Sequence, residues 1–186
     1  PHDGTAYLYT RANAGANFTL KEKWTDSAKS AGYNGEKGAL KHGLLASSRN
    51  GSPGLYLYSV DGSGNRAAVS SPAVNFSSTP RNVAISQDTM AINWGNDLKV
   101  YNINRNGAGL ATSVDLNGSL TTPIYGHQDS IDITENHLVL GMPREAQGGL
   151  SNAGEVLIYK VQNGQYTLTD TINAPTPQTD GFFGAT

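Results

Sequence analysis

The feature that most constrains this chain is a short apolar strand that ends in tyrosine and recurs at intervals of roughly 50 residues. The copies cover residues 6–9, 55–58, 98–101 and 156–159. Each copy is followed by a turn rich in glycine or asparagine, and then by a more polar strand whose side chains alternate with period two. A tyrosine at the same strand end in every unit is typical of packing between units, so we expect this tyrosine series to be buried.

A hairpin of two apolar strands precedes the tyrosine strand in the clearer units. Residues 83–85 turn into residues 90–92, and residues 131–133 turn into residues 138–140. Small and branched side chains in such strands suit burial on both faces. Four antiparallel strands at this period predict an all-β fold, a β-propeller of four-stranded antiparallel blades, with about 3.5 blades in this chain. A β-sandwich is the structural alternative, and the repeat favours the propeller.

The strand order divides the chain into blades of one partial propeller domain. The second half of a blade covers residues 1–24, three blades cover 25–72, 73–117 and 118–175, and residues 176–186 start the next blade. Because both chain ends fall inside the repeat, we expect the remaining blades of the same propeller on missing sequence or on another fragment. A partial propeller alone would expose strand edges that favour aggregation.

Composition and charge exclude several classes of protein. The chain carries a net charge of −2 and no cluster of Lys and Arg that could follow a phosphate backbone, which argues against nucleic-acid binding. It has no cysteine, so neither a disulfide scaffold nor a cysteine-based zinc site is available. No apolar stretch approaches the length of about 18 residues that a membrane-spanning helix needs.

The residues of the last unit carry a family resemblance. Gly141-Met142-Pro143 follows the second apolar strand, and Phe183-Gly184 lies near the end of the chain. These motifs resemble the FG-GAP repeat, the blade unit of integrin α-chain heads and of many bacterial extracellular propellers. The turns at residues 86–89 and 134–137 are too short for the calcium loop of the integrin version, so the chain is more similar to the bacterial type. The resemblance implies a secreted, extracellular or cell-surface protein.

Little in the sequence points to catalysis or to a cofactor. There is no Gly-x-Ser-x-Gly elbow and no phosphate-binding loop, and none of the four histidines has a partner at metal-binding spacing. We therefore predict no catalytic residues and no cofactor. The one alternative is calcium in the loop at residues 61–65, which resembles a calcium loop but lacks a closing bidentate acid.

Binding residues are expected on one face of the propeller, formed by the loops after the second strand of each blade and by the loops between blades. The resemblance implies that partners bind on this loop face. Trp94 stands where the family has its Gly-Ala-Pro turn, and an exposed Trp there suits stacking on a sugar or anchoring a protein, whereas packing between blades is the alternative. The candidate ligand-binding residues are Trp94, Tyr33, Arg49, Tyr125, His127, Asp129, Arg144 and Glu145.

These observations favour a non-enzymatic binding or adhesion module of a secreted or cell-surface bacterial protein. Its expected partner is a polysaccharide or other glycan, or an extracellular protein. Two alternatives remain open at this point. The first alternative is an accessory or catalytic propeller of a secreted enzyme. The second is a structural scaffold that carries an inserted binding domain.

Overall fold

The computed structural model describes residues 5–25, 34–49, 54–69, 81–94, 97–115, 130–162 and 165–185. Every regular element in these ranges is a β-strand, and the strands form one two-stranded and three four-stranded antiparallel sheets. No helix of the described ranges is long and apolar enough to cross a membrane. The predicted all-β fold with four-stranded antiparallel units is confirmed, and the sheets have the form of blades.

The strands are grouped into sheets in chain order. Sheet 1 contains β1 (Thr5–Thr10) and β2 (Thr19–Thr25). Sheet 2 contains β3 (Asn34–Lys41), β4 (Leu44–Arg49), β5 (Gly54–Val60) and β6 (Arg66–Ala68). Sheet 3 contains β7 (Asn82–Ile85), β8 (Thr89–Trp94), β9 (Asp97–Arg105) and β10 (Ala111–Asp115). Sheet 4 contains β11 (Ser130–Ile133), β12 (His137–Met142), β13 (Glu155–Gln162) and β14 (Gln165–Asn173).

Each four-stranded sheet is a meander whose neighbours in sequence are also neighbours in space. The two hairpins expected from the sequence are β7–β8 and β11–β12, in which Ile85 pairs with Met90 and Ile133 pairs with Leu138. The tyrosine strands are the third strands β5, β9 and β13. The strand β1 carries the remaining tyrosine and pairs with β2 as a third strand pairs with a fourth.

One hydrogen bond recurs at the same place in all three four-stranded sheets. The backbone N–H two residues after the tyrosine donates to a carbonyl in the turn between the first and second strands. The pairs are Val60 to Gly43, Ile103 to Asp88 and Val161 to Asn136, each at 2.8 Å. Because this bond ties the first turn to the third strand, it holds the three sheets to one local geometry even where their sequences differ.

The sheets pack on one another through two different faces. We call the side that carries the third-strand tyrosine the tyrosine face, and the opposite side the aliphatic face. One core joins the aliphatic face of sheet 2 to the tyrosine face of sheet 3, and a second core joins sheets 3 and 4 in the same order. In sheet 3 the tyrosine face presents Ile92 and Tyr101, whereas the aliphatic face presents the smaller Ala91 and Val100.

Neighbouring sheets are in contact chiefly at their inner strands. The first strand β3 contacts β7, and both β7 and β8 contact β11. A stack in which the first strands converge is the arrangement expected of blades around a common axis. It differs from a sandwich, in which only one face of each sheet is covered.

The tyrosine series is buried only where a preceding sheet covers it. Tyr101 and Tyr159 are 3% and 5% exposed, as expected from the sequence. Tyr58 is half-buried, and Tyr9 is 51% exposed, so the expectation of a uniformly buried series is wrong. The physical reason is that Tyr9 belongs to sheet 1, whose tyrosine face has no sheet packed against it within the described residues.

Candidate functional site

The loop between β12 and β13 is long and is held by its own hydrogen bonds. Gln147 and Leu150 exchange two backbone hydrogen bonds, of 3.1 and 2.9 Å, across Gly148 and Gly149. Both glycines have positive φ, 58° and 85°, which is the geometry of a tight type I′ hairpin turn. At the base of the loop, the N–H of Gly154 donates to the carbonyl of Glu145 at 2.9 Å. These bonds make the loop a small folded unit.

The chain after β14 folds back and runs along this loop. Phe182 N–H donates to the carbonyl of Asn152 at 2.9 Å, and Phe183 N–H donates to that of Ala153 at 3.1 Å. The Asn152 side chain also donates from Nδ2 to Oδ1 of Asp180 at 2.7 Å. A loop after a second strand and a segment that follows a fourth strand therefore lie together at one end of sheet 4, as the sequence predicts for this blade.

Three glycines allow the two segments to approach this closely. A Cβ atom on Gly141 would meet the carbonyl oxygen of Gly184 and Oγ of Ser130. A Cβ on Gly154, whose φ is 82°, would meet the backbone of Phe183. A Cβ on Gly184 would lie 2.7 Å from the carbonyl oxygen of Glu155. The three glycines, of which Gly141 and Gly184 belong to the family motifs, thus occupy positions where backbone touches backbone, so a side chain has no room there.

The clamped segments present polar and aromatic groups to solvent. Arg144 is exposed and Glu145 is half-buried. Burial raises the pKa of Glu155, and the nearby Glu145 carboxylate raises it further. Phe182 is 43% exposed. Its φ is 49°, a backbone conformation that a residue with a bulky side chain rarely adopts. An exposed aromatic held in a strained conformation and a carboxyl with a raised pKa are both typical of functional sites.

Of the residues predicted for ligand binding, Arg144 and Glu145, which are neighbours in sequence, lie in this loop. Tyr33, Tyr125, His127 and Asp129 lie outside the described residues. Arg49 and Trp94 are the last residues of β4 and β8, and only their backbone is described. The pairs Arg49–Gly54 and Trp94–Asp97 close the loops after the second strands, in the position that Met142–Glu155 has in sheet 4.

Sequence reasoning missed Phe182 and Glu155 as site residues. Phe182 precedes the Phe183-Gly184 pair of the family motif, and its exposure depends on how the chain folds back on the loop. Glu155 follows Gly154 and begins β13, and nothing in this sequence neighbourhood indicates a raised pKa. The Gly148-Gly149 dipeptide was the one signal that could have indicated an ordered hairpin here.

The loop at residues 61–65, considered as an alternative calcium site, is a hairpin turn closed by its first side chain. Asp61 Oδ1 accepts hydrogen bonds from the N–H groups of Ser63 and Asn65, at 2.9 and 2.8 Å. The hydrogen bond from the Asn65 side chain to Oδ2 lowers the pKa of Asp61. Both carboxylate oxygens therefore accept hydrogen bonds from N–H groups.

The corresponding loop of sheet 3 has the same geometry without a charge. Asn106 Oδ1 accepts from the N–H groups of Ala108 and Leu110, each at 3.0 Å. Gly64 and Gly109, at equal positions in the two loops, have φ of 78° and 75°. Because a neutral amide closes this turn as a carboxylate closes the other, the carboxylate of Asp61 acts as a hydrogen-bond acceptor that shapes a turn.

We predict that Asp61→Asn leaves the thermal unfolding midpoint unchanged, because asparagine already performs this part at position 106. Asp61→Ala should lower the midpoint, since it removes the acceptor for two backbone N–H groups. Differential scanning calorimetry with and without calcium measures both effects. A midpoint that rises with calcium in the parent protein but not in Asp61→Asn would show a metal loop instead.

An open groove of about 560 Å³ lies between sheets 1 and 2 at their outer strands. An ion pair crosses it: Arg66 Nε lies 2.8 and 2.7 Å from the two carboxylate oxygens of Glu22, and the guanidinium lies 4.5 Å from the ring centre of Tyr58. The residues that line it are Lys21, Glu22, Tyr58, Gly64, Asn65, Arg66 and Ala68. The polar groups of the groove thus join two sheets, which indicates a structural role.

The hydrogen bonds from Arg66 lower the pKa of Glu22. A carboxyl that is more acidic in the folded protein than in the unfolded chain stabilises the fold above its ordinary pKa, and this contribution is lost as the pH falls through the lower, folded value. We therefore predict that Glu22→Gln reduces stability at neutral pH by less than about 1 kcal/mol and has a smaller effect at acidic pH. Urea denaturation at a series of pH values measures this, with Glu135→Gln, in an exposed turn, as the control. An equal loss at every pH would contradict the role of the charge.

Comparisons with known proteins do not assign the chain to a family. Neither the protein-family models nor the curated proteins searched gave a match to this sequence. Within the described residues, no group of three or more His, Asp or Glu side chains is placed to hold a metal ion. The functional interpretation therefore depends on the fold and on the surface of sheet 4.

Proposed function

We propose that this chain is a run of about 3.5 FG-GAP-type β-propeller blades that acts as a non-enzymatic binding module. It binds a polysaccharide or another glycan through the loop face, as part of a secreted or cell-surface bacterial adhesion protein. The stacking of four-stranded sheets, tyrosine face on aliphatic face, supports the propeller. The motif glycines at the contact between the β12–β13 loop and the segment after β14 support the repeat type.

The observation that carries the binding proposal is the exposed Phe182 on a loop pair clamped by backbone hydrogen bonds. An aromatic ring on a rigid backbone suits stacking on a sugar ring, because little conformational entropy is lost when the ligand binds. Arg144 and Glu145 in the loop, and Glu155 at the start of β13, offer a donor and carboxyl acceptors for the hydroxyl groups of a sugar. We include in the proposed site the other residues predicted from the sequence, which are Arg49, Trp94, Tyr33, Tyr125, His127 and Asp129.

A glycan array probed with the full chain, with and without calcium, tests this function. We expect binding to a limited set of glycans, and we expect Phe182→Ala and Arg144→Ala to weaken it at least about tenfold without loss of the fold. Phe18→Ala is the matched control, since Phe18 is a phenylalanine that is 65% exposed. It lies in the turn between β1 and β2 of sheet 1, away from the loop between β12 and β13. Silence across the array, or equal losses in Phe18→Ala and Phe182→Ala, would overturn glycan binding at this loop.

A further inference from the structure

Two surfaces of the sheet stack have no sheet packed against them within the described residues, and they are of opposite kinds. The first, which we call the head, is the tyrosine face of sheet 1, where Tyr7 and Tyr9 are each 51% exposed and their rings stack at 6.4 Å. The second, which we call the tail, is the aliphatic face of sheet 4. It presents half-buried Val139, Val156 and Ile158.

The contacts inside the chain show which partner each kind of surface takes. At both core interfaces an aliphatic face packs against the tyrosine face of the following sheet. In sheet 3 the residues that match Val139, Val156 and Ile158 in register are Ala91, Leu98 and Val100, and all three are buried under sheet 4. The tail therefore has the composition of a surface that is covered by a tyrosine face. Within the described residues, the head is a tyrosine face against which no sheet packs.

The charges on the two surfaces are complementary as well. Glu22, opposite Leu8 in sheet 1, forms the ion pair with Arg66 of the next sheet. Asp170, opposite Ile158, has the same register position in sheet 4 and is exposed. Asp170 therefore lies on the aliphatic face of sheet 4, the tail, in the same place that Glu22 has on the aliphatic face of sheet 1.

The cation of the head nearest to the place of Arg66 is Arg11. It follows Tyr9 by two residues and so has the place of Val60, the cross-strand partner of Arg66, on the third strand. Its guanidinium lies 5.1 Å from the ring centre of Phe18. Lys23, whose Nζ lies 5.8 Å from the ring centre of Tyr7, adds a second positive charge to the same surface.

We propose that the tail of one copy of this chain binds the head of a second copy, with Asp170 of the first copy paired to Arg11 of the second. Such a contact joins two different surfaces, so it closes into a ring or extends into a filament according to the rotation between copies. The proposal builds on the sheet stacking of the proposed propeller and does not involve the loop that we propose to bind glycan.

Sedimentation velocity of the full chain over a range of concentrations tests the proposal. We expect the weight-average mass to rise with concentration above that of one chain. Tyr9→Glu, which blocks the head, and Ile158→Glu, which blocks the tail, should each be monomeric, and their equimolar mixture should form a 1:1 dimer that grows no further. Leu168→Glu is the matched control, because Leu168 is 48% exposed but pairs with Tyr159, on the other face of sheet 4, and it should associate as the parent does.

Exchanging the two charges tests the proposed pair of Asp170 and Arg11 without changing the apolar contacts between the copies. Asp170→Arg should weaken association about tenfold or more, and adding Arg11→Glu to the same chain should restore it. Circular dichroism confirms that each variant is folded. A parent protein that stays monomeric at every concentration, or a mixture of the two blocked variants that stays monomeric, would overturn the proposal. Glycan binding retained by such a monomer would show that the assembly fails while the proposed function stands.

Discussion

Gly141→Ala and Gly154→Ala are each expected to lower the free energy of unfolding by about 3 kcal/mol. The added Cβ of the first would meet the carbonyl oxygen of Gly184, and that of the second would meet the backbone of Phe183. Neither obstacle is a flexible side chain, so the chain after β14 must leave the loop. Gly154 also has a φ of 82°, which costs a non-glycine residue about 1–2 kcal/mol by itself. Urea denaturation followed by circular dichroism measures both losses.

The matched control for these substitutions is Gly107→Ala. Gly107 lies in a turn, its φ is not positive, and a Cβ there would have no heavy atom within 4 Å. Its replacement should change the free energy of unfolding by about 0.5 kcal/mol or less. If Gly141→Ala were as mild as Gly107→Ala, the segment after β14 would not lie on the loop as described, and the site built from the two would be lost.

Leu140→Ala should lower the free energy of unfolding by about 2–5 kcal/mol. Leu140 is 0% exposed and lies in the core between sheets 3 and 4, so the truncation removes buried apolar area and leaves a cavity. Leu168→Ala provides the comparison at equal chemistry, since Leu168 is 48% exposed in the same sheet, and it should cost about 0.5 kcal/mol or less. Equal losses at the two positions would mean that sheet 4 does not bury its tyrosine face against sheet 3.

Much of the fold was predictable because blade structure is local. Three patterns lie within single sheets: the alternation in the polar strand after each tyrosine strand, the apolar hairpins, and the tyrosines themselves. The strands β14, β7–β8 and β11–β12 follow these patterns. The repeat added the information that the same unit recurs. The sequence of one sheet does not tell which of its faces another sheet covers, because that depends on contacts between sheets. Tyr9 and Tyr159 have the same sequence context, but only Tyr159 has a neighbouring sheet on its face.

The candidate site was predicted only in part, for a related reason. Arg144 and Glu145 follow a motif, so their place on a loop could be inferred from sequence. Phe182 meets that loop only because the chain folds back after β14, through hydrogen bonds to residues far away in sequence. In the same way, Glu22 and Arg66 form their ion pair through the stacking of two sheets. In neither contact are the two partners separated by a sequence spacing that a motif could reveal.

The account depends most on the order of packing, aliphatic face on tyrosine face, and methyl-to-methyl nuclear Overhauser effects measure this order directly. We predict cross-sheet effects from Ala91 and Val100 of sheet 3 to Leu138 and Leu140 of sheet 4, because these side chains share one core. A β-sandwich would bring two like faces together. Effects that instead join Ile92 and Ile103, on the tyrosine face of sheet 3, to Leu138 and Leu140 of sheet 4 would contradict the stack of blades.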